Sequence, residues 1–471
     1  VGGSREGGSG AGPSDDGKGA GTGGEETVRR GPRARRRFRS GRRPHRLTAL
    51  AASGPPGPFR PGFWRSSLRG PWLTSVFGLV LLFGITIDFV TGLLSYAAYN
   101  PGLGALNDQT PDKGPLGFYL FTWPTHPYWL YRLNQGVHVT LGIALIPVLL
   151  AKLWSVIPRL FGWPPVASPA QALERLSLVL LVGGAIFEFA TGVLNIQLDY
   201  IFPGSFYTLH FYGAWVFIAA FTAHVALRLR KMWRGLRGLS LRAVLRTGTA
   251  ATEPEPPDED GLVSAAPSTA TVSRRGALAL VGAGSLALLV TTAGQSIGGA
   301  LRSTALLAPH NREPGSGPNG FQINKSAAGV GITAADIGPD WRLEVHGTHR
   351  LVFTRPELLA LPQHSAALPI ACVEGWSTQD QNWSGLRLAQ LAALAGVADA
   401  SSVLVESVQR GGPFSQVLLA GNQIRDPLSL LALHVNGAPL SPDHGYPARV
   451  IVPANPGVNN TKWVRSLTFR R

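Results

Sequence analysis

Pro369-Ile370-Ala371-Cys372-Val373-Glu374-Gly375-Trp376-Ser377 holds the single cysteine of this 471-residue chain. The apolar run reads as a short strand that ends on the thiol and turns away through glycine. A second block follows, Trp383-Ser384-Gly385-Leu386-Arg387-Leu388, and leads into a helical run from Leu388 to Leu394. A lone cysteine has no internal disulfide partner, so it serves as a buried hydrophobe, a reactive thiol or a metal ligand.

Cys-x-x-Gly-Trp-Ser followed by Trp-x-Gly-x-x-Leu resembles the central motif of the sulfite-oxidase-type molybdopterin-binding domain. The end of the chain is similar as well, in Val435-Asn436-Gly437-Ala438-Pro439-Leu440, then His444-Gly445-Tyr446-Pro447-Ala448-Arg449-Val450-Ile451-Val452-Pro453, then Lys462-Trp463-Val464. The resemblance covers Phe321 to Arg471 and implies an α+β domain holding a molybdopterin-type molybdenum cofactor. It makes Cys372 the protein ligand to molybdenum, beside the two dithiolene sulfurs of one pterin, with oxo positions left for substrate. It assigns pterin and phosphate contacts to His444, Arg449 and Lys462, and a weaker one to Asn324 in Phe321-Gln322-Ile323-Asn324-Lys325. The chemistry is consistent. A thiolate is the softest anionic ligand a side chain offers, a bound metal depresses the thiol's pKa, and Arg and Lys suit a buried phosphate. Sulfite oxidases proper place an arginine soon after the cysteine. Here Val373, Glu374 and Gly375 follow it, so a neutral sulfoxide or N-oxide is expected rather than the sulfite anion. Nothing after Lys462-Trp463 corresponds to the immunoglobulin-like dimerisation domain of some members, so a homodimer by that route is not expected.

Within the remaining domain, Trp341 to Gly347 alternates like a strand, and Thr354 caps a helix over Arg355–Ala360 with proline second and glutamate third. Ser402–Val408 and Ala448–Val452 read as strands, and Pro427–Leu433 as a short helix.

The net charge of +16 is concentrated at Arg29–Arg46 and Arg228–Arg246, beside very apolar segments. That is the pattern of positive charge held on the cytoplasmic side of a membrane, and it speaks against nucleic acid as a partner. Residues 1–69 are rich in Gly, Ser, Pro and Arg and read as a disordered basic cytoplasmic tail. Four apolar segments follow, near Trp72–Tyr96, Gly136–Val156, Leu173–Gln197 and Phe206–Leu229, each long enough for a hydrocarbon core of about 30 Å. Residues 70–232 thus form a four-helix membrane domain, and 233–272 a cytoplasmic linker. Residues 273–297 form a fifth helix behind Ser273-Arg274-Arg275-Gly276-Ala277-Leu278, which looks like an internal twin-arginine export signal or an ordinary span with flanking arginines. Residues 298–318 are a linker, and 319–471 the outer domain. The loops Asn100–Arg132 and Asp199–Phe206 are poor in basic residues and lie outside. The expected location is a bacterial cell membrane, multi-pass, with the N-terminus cytoplasmic and the C-terminal domain extracytoplasmic.

The first and third spans repeat at an offset of one hundred residues. Gly84, Phe89, Thr91, Gly92 and Leu94 recur as Gly184, Phe189, Thr191, Gly192 and Leu194, and Asp88 becomes Glu188. That is a two-helix repeat. Aligning the second span on the fourth sets His138 against His210 and Lys152 against His224, 14 residues further along each helix. This spacing resembles di-haem b-type cytochromes, in which two helices each supply two histidines, and Lys152 breaks the inner pair. The reading is one haem b held by His138 and His210, with Asp88 and Glu188 available to relay protons or to pair with each other.

The expected fold is multi-domain, an all-α transmembrane bundle followed by an α+β sulfite-oxidase-like domain. The expected activity is that of a molybdopterin-dependent oxidoreductase transferring an oxygen atom to or from a small molecule, with electrons exchanged with the quinone pool or another membrane carrier. Its rivals are the same enzyme on a haem-free anchor and a non-catalytic membrane-bound cofactor-binding module.

Overall fold

The computed structural model describes residues 55–108, 121–164, 168–196, 206–308, 315, 317–412 and 415–471. Most of the basic tail, the tip of the first outer loop, nearly all of the second and part of the 298–318 linker lie outside the described residues.

Four long helices come first: α1 (Pro71–Ala97), α2 (Leu130–Leu160), α3 (Pro169–Asn195) and α4 (Phe206–Gly238). Pro71 opens α1, where a missing N–H costs nothing, and the Ser168 hydroxyl caps α3 by accepting from Gln171 N. A short α5 (Leu241–Arg246) and a long α6 (Arg274–Ile297), capped by Ser273, complete the helical part. Among the described residues, α1, α2, α3, α4 and α6 are long and apolar enough to cross a membrane. Side chains such as Phe83, Leu176, Val179, Leu227 and Leu280 face outward, while Trp72, Leu73, Phe77, Leu81, Leu149 and Phe217 pack inside. An apolar outer surface around satisfied helical backbone is what lipid requires. α1 packs on α2 and α4, α3 on α4, and α6 on α2.

The segments on either side of the bundle are more ordered than composition implies. Of the 1–69 tail, Arg69 is buried, stacks on Trp64 and Trp154 and donates to Trp154 O. In the 233–272 linker, Glu255 is buried and its carboxylate accepts from Trp72 N at 3.0 Å. Asp260 is bridged to Arg159, Arg228 and Lys231. The acidic residues of this stretch strap it across the helix ends that carry Trp72, Arg159 and Arg228.

The C-terminal domain contains two sheets. One has the order β2 (Arg350–Phe353), β1 (Leu343–His346), β10 (Val464–Arg470), β5 (Ser402–Ser407), β6 (Gln416–Ala420), with β1 and β10 parallel. The other runs β3 (His364–Leu368), β4 (Gln381–Arg387), β7 (Leu430–Val435), β8 (Ala438–Pro439), with β9 (Arg449–Ile451) also on β7. Helices α7 (Arg355–Ala360), α8 (Leu388–Leu394) and α9 (Gly421–Arg425) connect them. Thr354 and Glu357 form the expected capping box on α7.

Two local readings are corrected. Pro427–Leu433 is not a helix: Leu430 to Val435 is the central strand β7, and Leu430, Leu431, Ala432 and Leu433 are fully buried. A short run of unbroken apolar residues has no period to separate a strand covered on both faces from a buried helix. The strand before the cysteine also ends sooner, at Leu368, and Ala371 makes only isolated bridges to Ser377 and Pro456.

β4 crosses β7 with a shift of register at Gly385, where a Cβ would sit 2.0 Å from Leu431 O. Gly385→Ala is expected to cost about 1–3 kcal/mol, read as a lowered thermal midpoint of the purified protein.

Candidate active site

The cysteine sits in a tight turn rather than on a strand. Cys372 N donates to Trp376 O at 2.8 Å and Gly375 N to Cys372 O at 3.1 Å. Gly375 has φ +88°, and a Cβ there would lie 2.8 Å from the Val139 side chain, so both backbone and packing demand glycine. Cys372 is buried. Its thiol donates to Glu374 Oε2 at 3.3 Å, and Trp376 Nε1 donates to the same oxygen at 2.7 Å. Burial first and Glu374 second push the thiol's pKa well above its ordinary value.

The turn is held against the helical part. Gln135 on α2 donates to Val373 O, Ser296 on α6 to Gly375 O, and Arg302 to Ser377 O. Ser377 answers by donating from N to Gln295 O at 2.9 Å and from Oγ to Ser296 O at 2.7 Å. The chain after α1 adds further ties. Asn107 exchanges two hydrogen bonds with the backbone of Leu418, and Trp123 Nε1 donates to Ala454 O at 2.7 Å.

Beyond the cysteine, the turn Pro442–His444, β9 and the segment before β10 bring three basic side chains together. Arg449 is buried over the Trp383 ring, its guanidinium donates to His444 O at 3.4 Å, and its Nε has no partner. Lys462 Nζ donates to the carbonyls of Lys325 and Asp443, at 2.8 and 2.7 Å. His444 is stacked on Phe321, 3.8 Å between ring centres, and its Nε2 pairs with Phe321 O at 3.2 Å. Among the described residues no carboxylate comes within ion-pair distance of Arg449 or Lys462. Burial lowers the pKa of Arg449 to about 9; burial, then Arg449, lowers that of Lys462. Asp443 acts on Lys462 in the opposite sense. Asn324 is a step removed: its Oδ1 accepts from Lys325 N, and no contact joins it to the three basic groups.

One helical turn past Gln135, the histidines expected to hold haem face each other. The His138 and His210 ring centres are 6.3 Å apart with planes at 74°. Both rings are anchored through Nδ1. His138 meets Asp88 O at 3.0 Å and Thr91 Oγ1 at 3.2 Å, and His210 meets Thr191 Oγ1 at 3.1 Å and Glu188 Oε2 at 3.1 Å. Gly92 lies under the first ring and Gly192 under the second, where a Cβ would be 3.2 and 3.3 Å from Cε1. Glu188 therefore pairs with its histidine and not with Asp88. The repeated Thr-Gly pair was visible in the sequence, but its work of seating an imidazole was not. Gln135, Ser296 and Arg302 carried no local signal at all.

Residues 330–471 match a family described as oxidoreductase molybdopterin binding domain. The chain is 31% identical over 133 residues to YuiH, an uncharacterized oxidoreductase of Bacillus subtilis, covering 28% of this chain and 66% of that protein. It is 30% identical over 151 residues to the mitochondrial sulfite oxidase of Drosophila melanogaster, 26% of each chain. It is also 30% identical over 129 residues to YedZ1 of Azospira oryzae, a candidate subunit of a protein-methionine-sulfoxide reductase, covering 27% of this chain and 48% of that one. The chain thus spans between about a quarter and two thirds of the length of these relatives. Residues 330–471 are a molybdopterin-binding oxidoreductase domain, similar to sulfite oxidases among other oxidoreductases.

The residues present fit that cofactor. A buried thiol, an orphaned guanidinium nitrogen and a half-buried ammonium held, among the described residues, by carbonyls form a site that lacks an anion. Cys372 would ligate the metal, and Arg449, Lys462 and His444 would hold the pterin and its phosphate. Arg449→Gln and Lys462→Gln are each expected to lower molybdenum per purified chain at least tenfold, measured by elemental analysis, because each removes a buried charge-assisted contact.

His444 also sets a pH dependence. Burial, then Arg449 and Lys462, lower its pKa to about 3. As pH falls, the unfolded chain takes up a proton near pH 6.5 that the folded chain refuses. Cofactor-free protein should therefore lose about 2 kcal/mol between pH 7 and pH 5 through this group. Thermal midpoints at the two pH values should differ less in His444→Asn than in wild type.

Proposed function

We propose that the chain is a membrane-bound molybdenum oxidoreductase that transfers an oxygen atom outside the cytoplasm and exchanges electrons with the quinone pool through one b-type haem. The observation that carries this reading is the seating of the Cys372 turn: Gly375 packs on Val139, the neighbour of His138, while Gln135 holds the Val373 carbonyl. A metal on Cys372 and a metal between the two histidines would then be joined by one turn of α2.

The histidine pair suits an iron. His138 and His210, with ring centres 6.3 Å apart, would hold the iron of a haem between them. Nδ1 of each ring is taken by α1 or α3, which leaves Nε2 as the ligand atom. When bound, molybdenum supplies two-electron oxygen-atom transfer and haem supplies one-electron exchange. The protein's own part is to hold and orient. Glu374 Oε2 is the nearest acceptor for the Cys372 proton, which leaves when the thiol binds as thiolate. Reducing a sulfoxide to a sulfide and water takes two electrons and two protons, and the same carboxylate is placed to carry a proton.

The five apolar helices and the arginines at the ends that carry Arg159, Arg228 and Arg275 support a multi-pass membrane protein with those ends in the cytoplasm. The twin arginines Arg274 and Arg275 then stand on the cytoplasmic side of α6, and the outer domain is extracytoplasmic. Glu374 beside the thiol disfavours an anionic substrate such as sulfite. A neutral sulfoxide, the chemistry in the name of the Azospira relative, is favoured.

Reduced-minus-oxidised spectra and molybdenum analysis of one purified sample test the proposal. Molybdenum together with b-type bands is expected, with the bands lost in His138→Ala and His210→Ala and kept in His224→Ala. Molybdenum without b-type bands would leave the enzyme on a haem-free anchor. Protein from a molybdenum-replete host that carries no molybdenum would reduce the chain to a binding module.

A further inference from the structure

A cavity of about 570 Å³ opens between α1, α2, α3 and α4 at the inner level of the bundle, lined among others by Gly78, Leu81, Ile85, Lys152, Phe217 and His224. That volume is in the range of small-molecule sites. Its polar end copies the histidine site, displaced by 14 residues along each helix. His138 bonds Asp88 O and lies over Gly92. Lys152 Nζ donates to Thr74 O at 2.7 Å and lies 3.1 Å from where a Gly78 Cβ would be. Thr74 and Gly78 are 14 residues before Asp88 and Gly92, as Lys152 is 14 after His138. The register is kept while the ligand type is exchanged, because an ammonium offers donors and no lone pair.

Lys152 differs from the other cations of this cavity. Three of them, Arg159, Arg228 and Lys231, are paired with Glu174 or Asp260, and Arg234 also lines the cavity. Among the described residues Lys152 has only the Thr74 carbonyl, which leaves further N–H donors for a guest. No hydrogen bond from a described residue reaches His224. The walls are apolar, through Leu81, Ile85 and Phe217. Ile85 and Ala185 line the cavity's outer end three residues before Asp88 and Glu188, while the Lys152 level lies 14 residues, about 21 Å, from the level of the histidine pair.

A flat ring with carbonyl acceptors and an apolar tail satisfies each of these features. We propose that this cavity binds the head-group of a quinone, with Lys152 Nζ and the His224 imidazole donating to its carbonyls. The proposal rests on the quinone-coupled reading above and gives that partner its place.

Equilibrium binding of menadione to the full chain in lipid nanodiscs tests it, with haem counted on the same samples. Wild type should bind menadione. Lys152→Met and His224→Ala should each weaken binding at least tenfold, the loss expected for a hydrogen bond to a buried polar group, at unchanged b-type absorbance per chain. No binding by wild type, or equal affinity in both variants, would overturn the assignment. So would two haems per wild-type chain, one of them lost in His224→Ala, because the cavity would then be a second haem site. Absence of b-type bands from wild type would defeat the haem reading, and the menadione titration would still decide this one.

Discussion

The turn that carries Cys372 cannot satisfy its own backbone. The carbonyls of Val373, Gly375 and Ser377 point away from the outer domain and are met by side chains of Gln135, Ser296 and Arg302. A buried carbonyl without a partner costs on the order of 1–3 kcal/mol, so the Cys372 turn and the helix ends stabilise each other. Gly375 makes this fit possible twice over, by its positive φ and by leaving room for Val139. The outer domain is therefore no tethered body hanging from an anchor. Its central turn is completed by α2 and α6.

That docking places two different chemical environments on one helix. At Gln135 and Val139, α2 supports a site that is short of an anion, between Cys372, Arg449 and Lys462. At His138 it presents an anchored imidazole to a second one. Fourteen residues further in it presents an amine to an open cavity. The three levels share one helix, and its pitch fixes their separation.

Much of the fold could be read from the chain. The long apolar helices, the Thr354 capping box and the strands around Leu343 and Ser402 follow from local pattern and appear at those places. Leu430–Val435 did not yield, because a strand covered on both faces has lost the alternation that identifies it. The strap through Glu255 and Asp260 also escaped, since acidic residues in a Pro-rich stretch look solvated until the cations they meet are known. Of the candidate cofactor residues, His444, Arg449 and Lys462 gather in the fold, and Asn324 stands one residue away from them.

The sequence by itself determined which side chains are the candidates for the chemistry. A single thiol in its motif, histidines at matched positions and segments of membrane length are local properties, legible without any contact. Only the tertiary structure decided what those groups do to one another. The bonds from Gln135 to Val373 and from Ser296 to Gly375 span 238 and 79 residues of chain. The seating of His138 by Asp88 spans 50. Glutamine, serine and a backbone carbonyl carry no motif of their own, because a hydrogen bond needs only a donor and an acceptor at the right distance. That distance is set by helix packing and not by neighbours in the chain.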